Sequence, residues 1–267
     1  MKRFASFKAA LSVIVCVSLI AVASARSNTQ VEKTELLDRS QKQYYNLRSA
    51  GLVGFSCKVN VNWSRLLKDL SERGNEPEGV TLDMLQGLKF SMALGSNDQF
   101  TFERPAYPLI PDKETQDNVR MLLEDSEQMI GSFSSAWRPF VLTPIFPEAT
   151  SVQNIIETDD GYRIQAKDGE MKTDLTMNKE SVISNITVTS LLLTGTTRPT
   201  FTKTSRGLLL NKLDSNIGEG QIKSVITIEY QELEGLQLLK SVLYDSTDRG
   251  EKHIIELNFS DYSIKKK

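Results

Sequence analysis

The chain predicts an α+β fold that is mostly antiparallel β: a curled sheet of roughly ten strands whose apolar concave face is covered by helices. Three observations carry that expectation. The run Leu52–Trp63 (LVGFSCKVNVNW) alternates strictly, with Val53, Phe55, Cys57, Val59, Val61 and Trp63 on one side and mostly small or polar residues on the other. Side chains on a strand repeat every two residues, so the run has one greasy stripe and one wet stripe. The second half of the chain repeats the theme in short segments separated by turn residues, as a β-meander does. Between the two lies one long segment of helical periodicity.

Taken in order, residues 29–50 favour a helix with an apolar side from Leu37, Tyr44, Tyr45 and Leu47, and Gly51 stands where a helix end tolerates positive φ. The Leu52–Trp63 strand follows directly. Residues 63–70 read as a short helical or irregular crossing, 74–79 as a loop, and 80–85 as another short helix. Leu88, Phe90, Met92 and Leu94 alternate up to the turn Gly95-Ser96-Asn97-Asp98, and Phe100 and Phe102 return from it as a hairpin partner. Residues 105–111 are proline-rich and irregular. Asp112 is placed to cap a helix in which Val119, Leu122, Leu123, Met129, Ile130, Phe133 and Trp137 recur at helical spacing. The segment PFVLTPIFP (139–147) is broken by three prolines and cannot be an interior strand. Beyond it, Asp159-Asp160-Gly161, Lys167-Asp168-Gly169 and Asn178-Lys179-Glu180 punctuate strands at even intervals. Further strands are expected through 199–204, 208–213, 222–230, 238–244 and 254–259.

The first residues address compartment. Met1-Lys2-Arg3 and Lys8 form a basic leader, residues 9–22 an apolar run, and Ala23-Ser24-Ala25 a small-x-small cleavage pattern. Residues 1–25 are therefore expected to be a cleaved signal peptide, leaving 26–267 as a single exported, periplasmic domain. Cleavage would remove Cys16 and leave Cys57 as the sole cysteine, so stability must come from a core and not from a disulfide. On the apolar side of its strand, Cys57 suits a buried, inert thiol. The whole chain carries 32 basic and 34 acidic residues; without Lys2, Arg3 and Lys8 the balance is 29 to 34, a net charge of −5. Charges of both signs are interspersed, which argues against nucleic acid as a partner.

Catalytic motifs are lacking. His253 is the one histidine, no G-x-S-x-G elbow or glycine-rich phosphate loop is present, and the acidic pairs sit where turns use aspartate for geometry. No metal or cofactor is expected, although a carboxylate-pair hydrolase leaves no mark in a sequence. What remains is an apolar face of Phe55, Val59, Val61, Trp63, Phe90, Met92, Ile226, Ile228 and Tyr230, more than one helix readily covers. It is either an ordinary packed core or the lining of a cavity for an acyl chain or similar ligand. The methionines, deformable thioethers, suit the second reading.

The order of elements extends this. Tyr44-Tyr45-Asn46-Leu47 running through Gly51 into the strand ending at Trp63, then Ile228-Glu229-Tyr230-Gln231, Gly235-Leu236-Gln237-Leu238 and Glu256–Tyr262 (ELNFSDY), resemble the outer-membrane lipoprotein-sorting carriers, the LolA/LolB-like fold. The resemblance implies a half-open β-barrel, with the mid-chain helix (Leu122, Met129, Ile130, Phe133, Trp137) as a lid over a hydrophobic cavity. It implies a non-catalytic, monomeric periplasmic carrier of lipids or lipoprotein acyl chains that deals with membrane-bound donor or acceptor proteins. Arg48, Arg65 and Arg138 are available as a lid-closing arginine, and the resemblance assigns that role to none of them. The rivals are a protein-interaction or envelope-stress-sensing module on the same fold and, further off, a hydrolase.

Overall fold

A computed structural model describes residues 28–218 and 220–267, with side chains from residue 32 onward. The expected signal peptide, 1–25, lies outside the described residues. Four helices, α1 (Asn28–Gln41), α2 (Trp63–Glu72), α3 (Leu82–Leu85) and α4 (Lys113–Val141), accompany one antiparallel sheet. Its strands are β1 (Leu52–Val61), β2 (Lys89–Leu94), β3 (Phe100–Glu103), β4 (Val152–Thr158), β5 (Gly161–Asp168), β6 (Met171–Asn178), β7 (Ile183–Thr189), β8 (Thr194–Thr204), β9 (Gly207–Ile217), β10 (Ile222–Leu233), β11 (Leu236–Asp248) and β12 (Glu251–Lys266). The α+β class stands, but the sheet has twelve strands, not roughly ten, in the order β3-β2-β1-β12-β11-β10-β9-β8-β7-β6-β5-β4. Strand β4 adds to the expected count because it shows the sequence no alternation: only Val152 of its seven residues is buried. The sheet is not closed, and β3 and β4 are its edges.

The chain divides into two compact units. One takes the described residues up to Asn46, Trp137–Val225 and Thr247–Glu251; the other takes Leu47–Ala136, Ile226–Ser246 and Lys252–Lys267.

In the first unit, Leu37, Tyr44, Phe146, Val152, Ile164, Leu175, Met177 and Ile183 form one apolar cluster. Tyr44 organises it. Its ring meets Phe146 and Phe201 edge-on at 5.8 and 5.1 Å. Its hydroxyl donates to the Ser181 carbonyl at 2.7 Å and accepts from the Ile183 N–H at 2.8 Å. Burial raises the pKa of this phenol, which keeps it a neutral donor. Helix α1 stops at Gln41, nine residues before the expected end. The backbone past it is claimed by β9: the Tyr45 N–H donates to the Leu208 carbonyl and the Leu208 N–H to the Gln43 carbonyl. Tertiary pairing outweighs a modest helix propensity there. Gly51 does take positive φ (+98°), but in the turn leading into β1.

In the second unit β1 is central. It pairs with β2 on one side (Val59 opposite Phe90, Cys57 opposite Met92) and with β12 on the other (Val59 opposite Phe259, Val61 opposite Leu257). Its alternation holds from Phe55 to Val61, with Phe55, Cys57, Val59 and Val61 buried and Ser56 and Lys58 exposed, but not at its start, where a register irregularity leaves Leu52 and Gly54 buried and Val53 half-buried. Asp112 Oδ2 caps α4 by accepting from the Thr115 N–H at 2.7 Å. The helix brings Phe133 to 6.4 Å from the Phe259 ring and Ser134 Oγ to 3.5 Å from Met92 Sδ. It was expected to end near Trp137 but runs to Val141, with Pro139 tolerated in its last turn.

Two substitutions test the first unit. At Gly207 (φ +123°) an added Cβ would lie 2.7 Å from the Gln43 carbonyl oxygen. Gly207→Ala should cost about 1–3 kcal/mol through the strained backbone, visible as a lower urea midpoint. Tyr44→Phe strands a buried N–H and carbonyl and should cost about 1–3 kcal/mol in the same titration; an unchanged midpoint would remove Tyr44 from that role.

Candidate functional site

The residues expected to line a cavity are placed as follows. Phe55, Val59, Val61, Trp63, Phe90, Met92, Ile226 and Ile228 are buried, and Tyr230 is half-buried. All nine belong to the second unit. So do Leu122, Met129, Ile130 and Phe133 of α4, all buried, whereas Trp137 falls in the first unit. Helix α4 thus lays an apolar stripe against buried residues of β2 and β12.

Open space occurs where β1 runs out. A groove of about 300 Å³ is walled by Val61 and Trp63, by Leu82 and Gln86 from α3 and its end, and by the cross-strand pair Asn60 and Asn258. Local chemistry explains its shape. Asn62 ends the strand and starts α2: its side-chain oxygen accepts from the Arg65 N–H (3.2 Å) and from Ser64 Oγ (2.9 Å). Its amide nitrogen donates to Glu256 Oε2 at 3.2 Å, beside Arg65 Nη1 at 3.0 Å on the same oxygen. Trp63, the first residue of α2, is thereby fixed as a wall, with Leu66 and Leu70 buried behind it. Leu82 is 38% exposed at the lip. At Gly87 (φ +89°) nothing lies within 4 Å of where a Cβ would be, so that side stands open.

The segment from α2 to α3 borders the groove and is held at two further points. Asn118 of α4 donates to the Glu78 carbonyl at 3.0 Å. Arg73 donates to Asp69 Oδ2 at 2.7 Å and stands 3.0 Å from His253 Nδ1. The single histidine is therefore engaged with a guanidinium through Nδ1.

No described residue lining the groove is ionisable, so it supplies neither a general acid nor a base. It offers amides that donate and accept and an apolar floor; the Trp63 Nε1–H is itself buried, without a hydrogen-bond partner among the described residues, and is not exposed in the groove. Among the described residues no cluster of three or more histidine, cysteine, aspartate or glutamate side chains could hold a metal.

Two of the available arginines have defined partners. The Arg48 guanidinium pins the β2–β3 turn, donating to Asp98 Oδ1 (2.7 Å), the Gly95 carbonyl (2.6 Å) and the carbonyls of Leu52 and Val53. Arg65 serves the α2 start. Tyr262 was not foreseen. Opposite Cys57, β12 carries a bulge in which Asp261 (φ +53°) and Tyr262 face one residue of β1. The bulge lets Tyr262 reach the Leu239 carbonyl (2.8 Å) and approach the Phe55 ring (5.6 Å) and Cys57. Nothing in the sequence marks a bulge at that position.

Comparison with protein-family models, with curated proteins and with solved structures finds no match. Among the described residues no helix is long and apolar enough to cross a membrane.

Burial pushes the Cys57 thiol up to about 12, opposed by its contact with Tyr262. Native protein at neutral pH should therefore leave Cys57 unmodified by iodoacetamide, with alkylation appearing only in denaturant. Peptide mapping showing rapid native labelling at Cys57 would disprove its inertness.

Proposed function

We propose that this protein is a non-catalytic carrier of the periplasm that holds lipids or lipoprotein acyl chains on a half-barrel sheet. One observation carries the reading. The strand that organises the apolar face ends in an uncharged groove of about 300 Å³ walled by Val61, Trp63 and Leu82, at the lower end of the size of small-molecule sites. A chain entering there loses water at about 0.8 kcal/mol per methylene, and no charge opposes it. The Asn60–Asn258 pair suits the carbonyl oxygens of an ester or amide head. The α2–α3 segment, held by the few polar contacts at Asn62, Arg73 and Glu78, is the cover whose displacement would lengthen the groove. Helix α4, whose stripe is buried, serves as the fixed side. Release then requires a membrane or acceptor protein that competes for the chain.

Native mass spectrometry of the protein purified gently from periplasmic extract is the direct test. Extra mass that fragments to fatty acid or phospholipid is expected. A bare mass together with no uptake of an added fluorescent acyl probe would overturn the carrier in favour of an interaction module. Leu82→Asp places a carboxylate at an already exposed lip, so the fold should survive, and probe affinity should fall by about tenfold or more, the cost of losing one apolar contact and solvating a charge beside the chain.

A further inference from the structure

The turn between β7 and β8 is unlike the other hairpin turns of the first unit. Where those carry glycine, aspartate or asparagine, this one carries Ser190-Leu191-Leu192-Leu193. Leu191 and Leu192 are 81% and 93% exposed, whereas Leu193 folds back toward Gly218. The exposure is built in. The Ser190 N–H donates to the Leu193 carbonyl at 2.9 Å, and Ser190 Oγ accepts from the N–H groups of Leu193 (3.2 Å) and Leu192 (3.4 Å). Below the turn, Thr194 is tied to β9 through the Gly218 N–H at 3.0 Å. A closed turn thus holds two leucines out in water, against the usual cost of exposing adjacent large apolar side chains.

Their surroundings have a definite chemistry. No residue from Ser181 to Thr197 is charged, in a chain of which 25% is. The arms nearest the tip are threonine, valine and glycine pairs: Thr187–Thr196, Val188–Gly195 and Thr189–Thr194. On the neighbouring strand, Lys172 lies in register with Thr189 and opposite Lys167. Like charges directly opposite are unfavourable, and neither lysine has an ion-pair partner among the described residues. The apolar tip, with Lys172 level with the first arm pair Thr189–Thr194 and Lys167 opposite it, matches the acyl region and the phosphates just above it at a bilayer surface, with Asp168 and Glu170 the acidic residues between the two lysines.

We propose that the β7–β8 turn is a membrane-docking site, with Leu191 and Leu192 entering the acyl boundary of a phospholipid bilayer and Lys167 and Lys172 meeting lipid phosphates. The site does not depend on what the groove at Trp63 holds. The probe is the full chain carrying Leu192→Trp, mixed with vesicles of phosphatidylethanolamine and phosphatidylglycerol. The native Trp63 and Trp137 are buried but still emit, and Trp63 borders the groove, so the tip is read as the difference between this chain and the same titration of the chain without Leu192→Trp. The emission of the introduced indole should shift to the blue and be lost when the acyl chains carry bromine, and adding Leu191→Asp should abolish both effects. Emission that neither shifts nor is quenched would overturn membrane docking and direct the tip to a protein cleft. Quenching unchanged by Lys167→Glu with Lys172→Glu would overturn the role given to the lysines.

Discussion

The pairing of β1 with β12 is the constraint on which the second unit rests. It sets Val59 between Phe90 and Phe259, and that row is the ground on which α4 lies. The register is strongly specified, because a slip of one residue would turn Val59 and Val61 to water and Lys58 and Asn60 inward. The bulge at Asp261 and Tyr262 is part of the same specification. It absorbs one residue so that Phe259 and Ile264 can both stand opposite apolar residues of β1, Val59 and Phe55. The groove follows from this pairing, since Asn60 and Asn258 are its last in-register polar pair before Asn62 turns the chain into α2.

The groove wall carries no ionisable side chain among the described residues. Amides, an indole and aliphatic carbons can desolvate and orient a ligand, but they cannot move protons at neutral pH. The ionisable groups nearby, Arg65, Glu256, Asp69 and Arg73, are spent on each other or on helix ends. Their contacts fix where α2 sits. Charge in this region positions α2 and leaves the groove neutral.

Much of the fold was legible because its signals are local. The β1 alternation, the Gly95–Asp98 turn, the Asp112 cap and the apolar stripe of α4 each lie within a few residues of one another. What the sequence hid is non-local. The end of α1 is decided by Leu208, more than 160 residues away; β4 is an edge strand and carries no stripe. The groove was half visible: Val61 and Trp63 belong to the expected apolar face, but Leu82, Gln86 and Asn258 join them only through the fold. The leucines at 191–193 could be read as an apolar run, yet only the Ser190 turn shows that two of them point to solvent.

Strand β12 also has a consequence for how the protein is made. Val59 and Phe259 are two hundred positions apart, which at about 5–20 residues per second is roughly 10–40 s of synthesis. For that interval β1 exists without its neighbour, a greasy edge with unpaired backbone groups of the sort that seeds aggregation. Closing so long a loop adds little to the equilibrium cost, but it makes completion of the second unit late and slow. The nascent chain is therefore at its most vulnerable well before its native state exists, and any holding factor that masks residues 52–63 would act in that window.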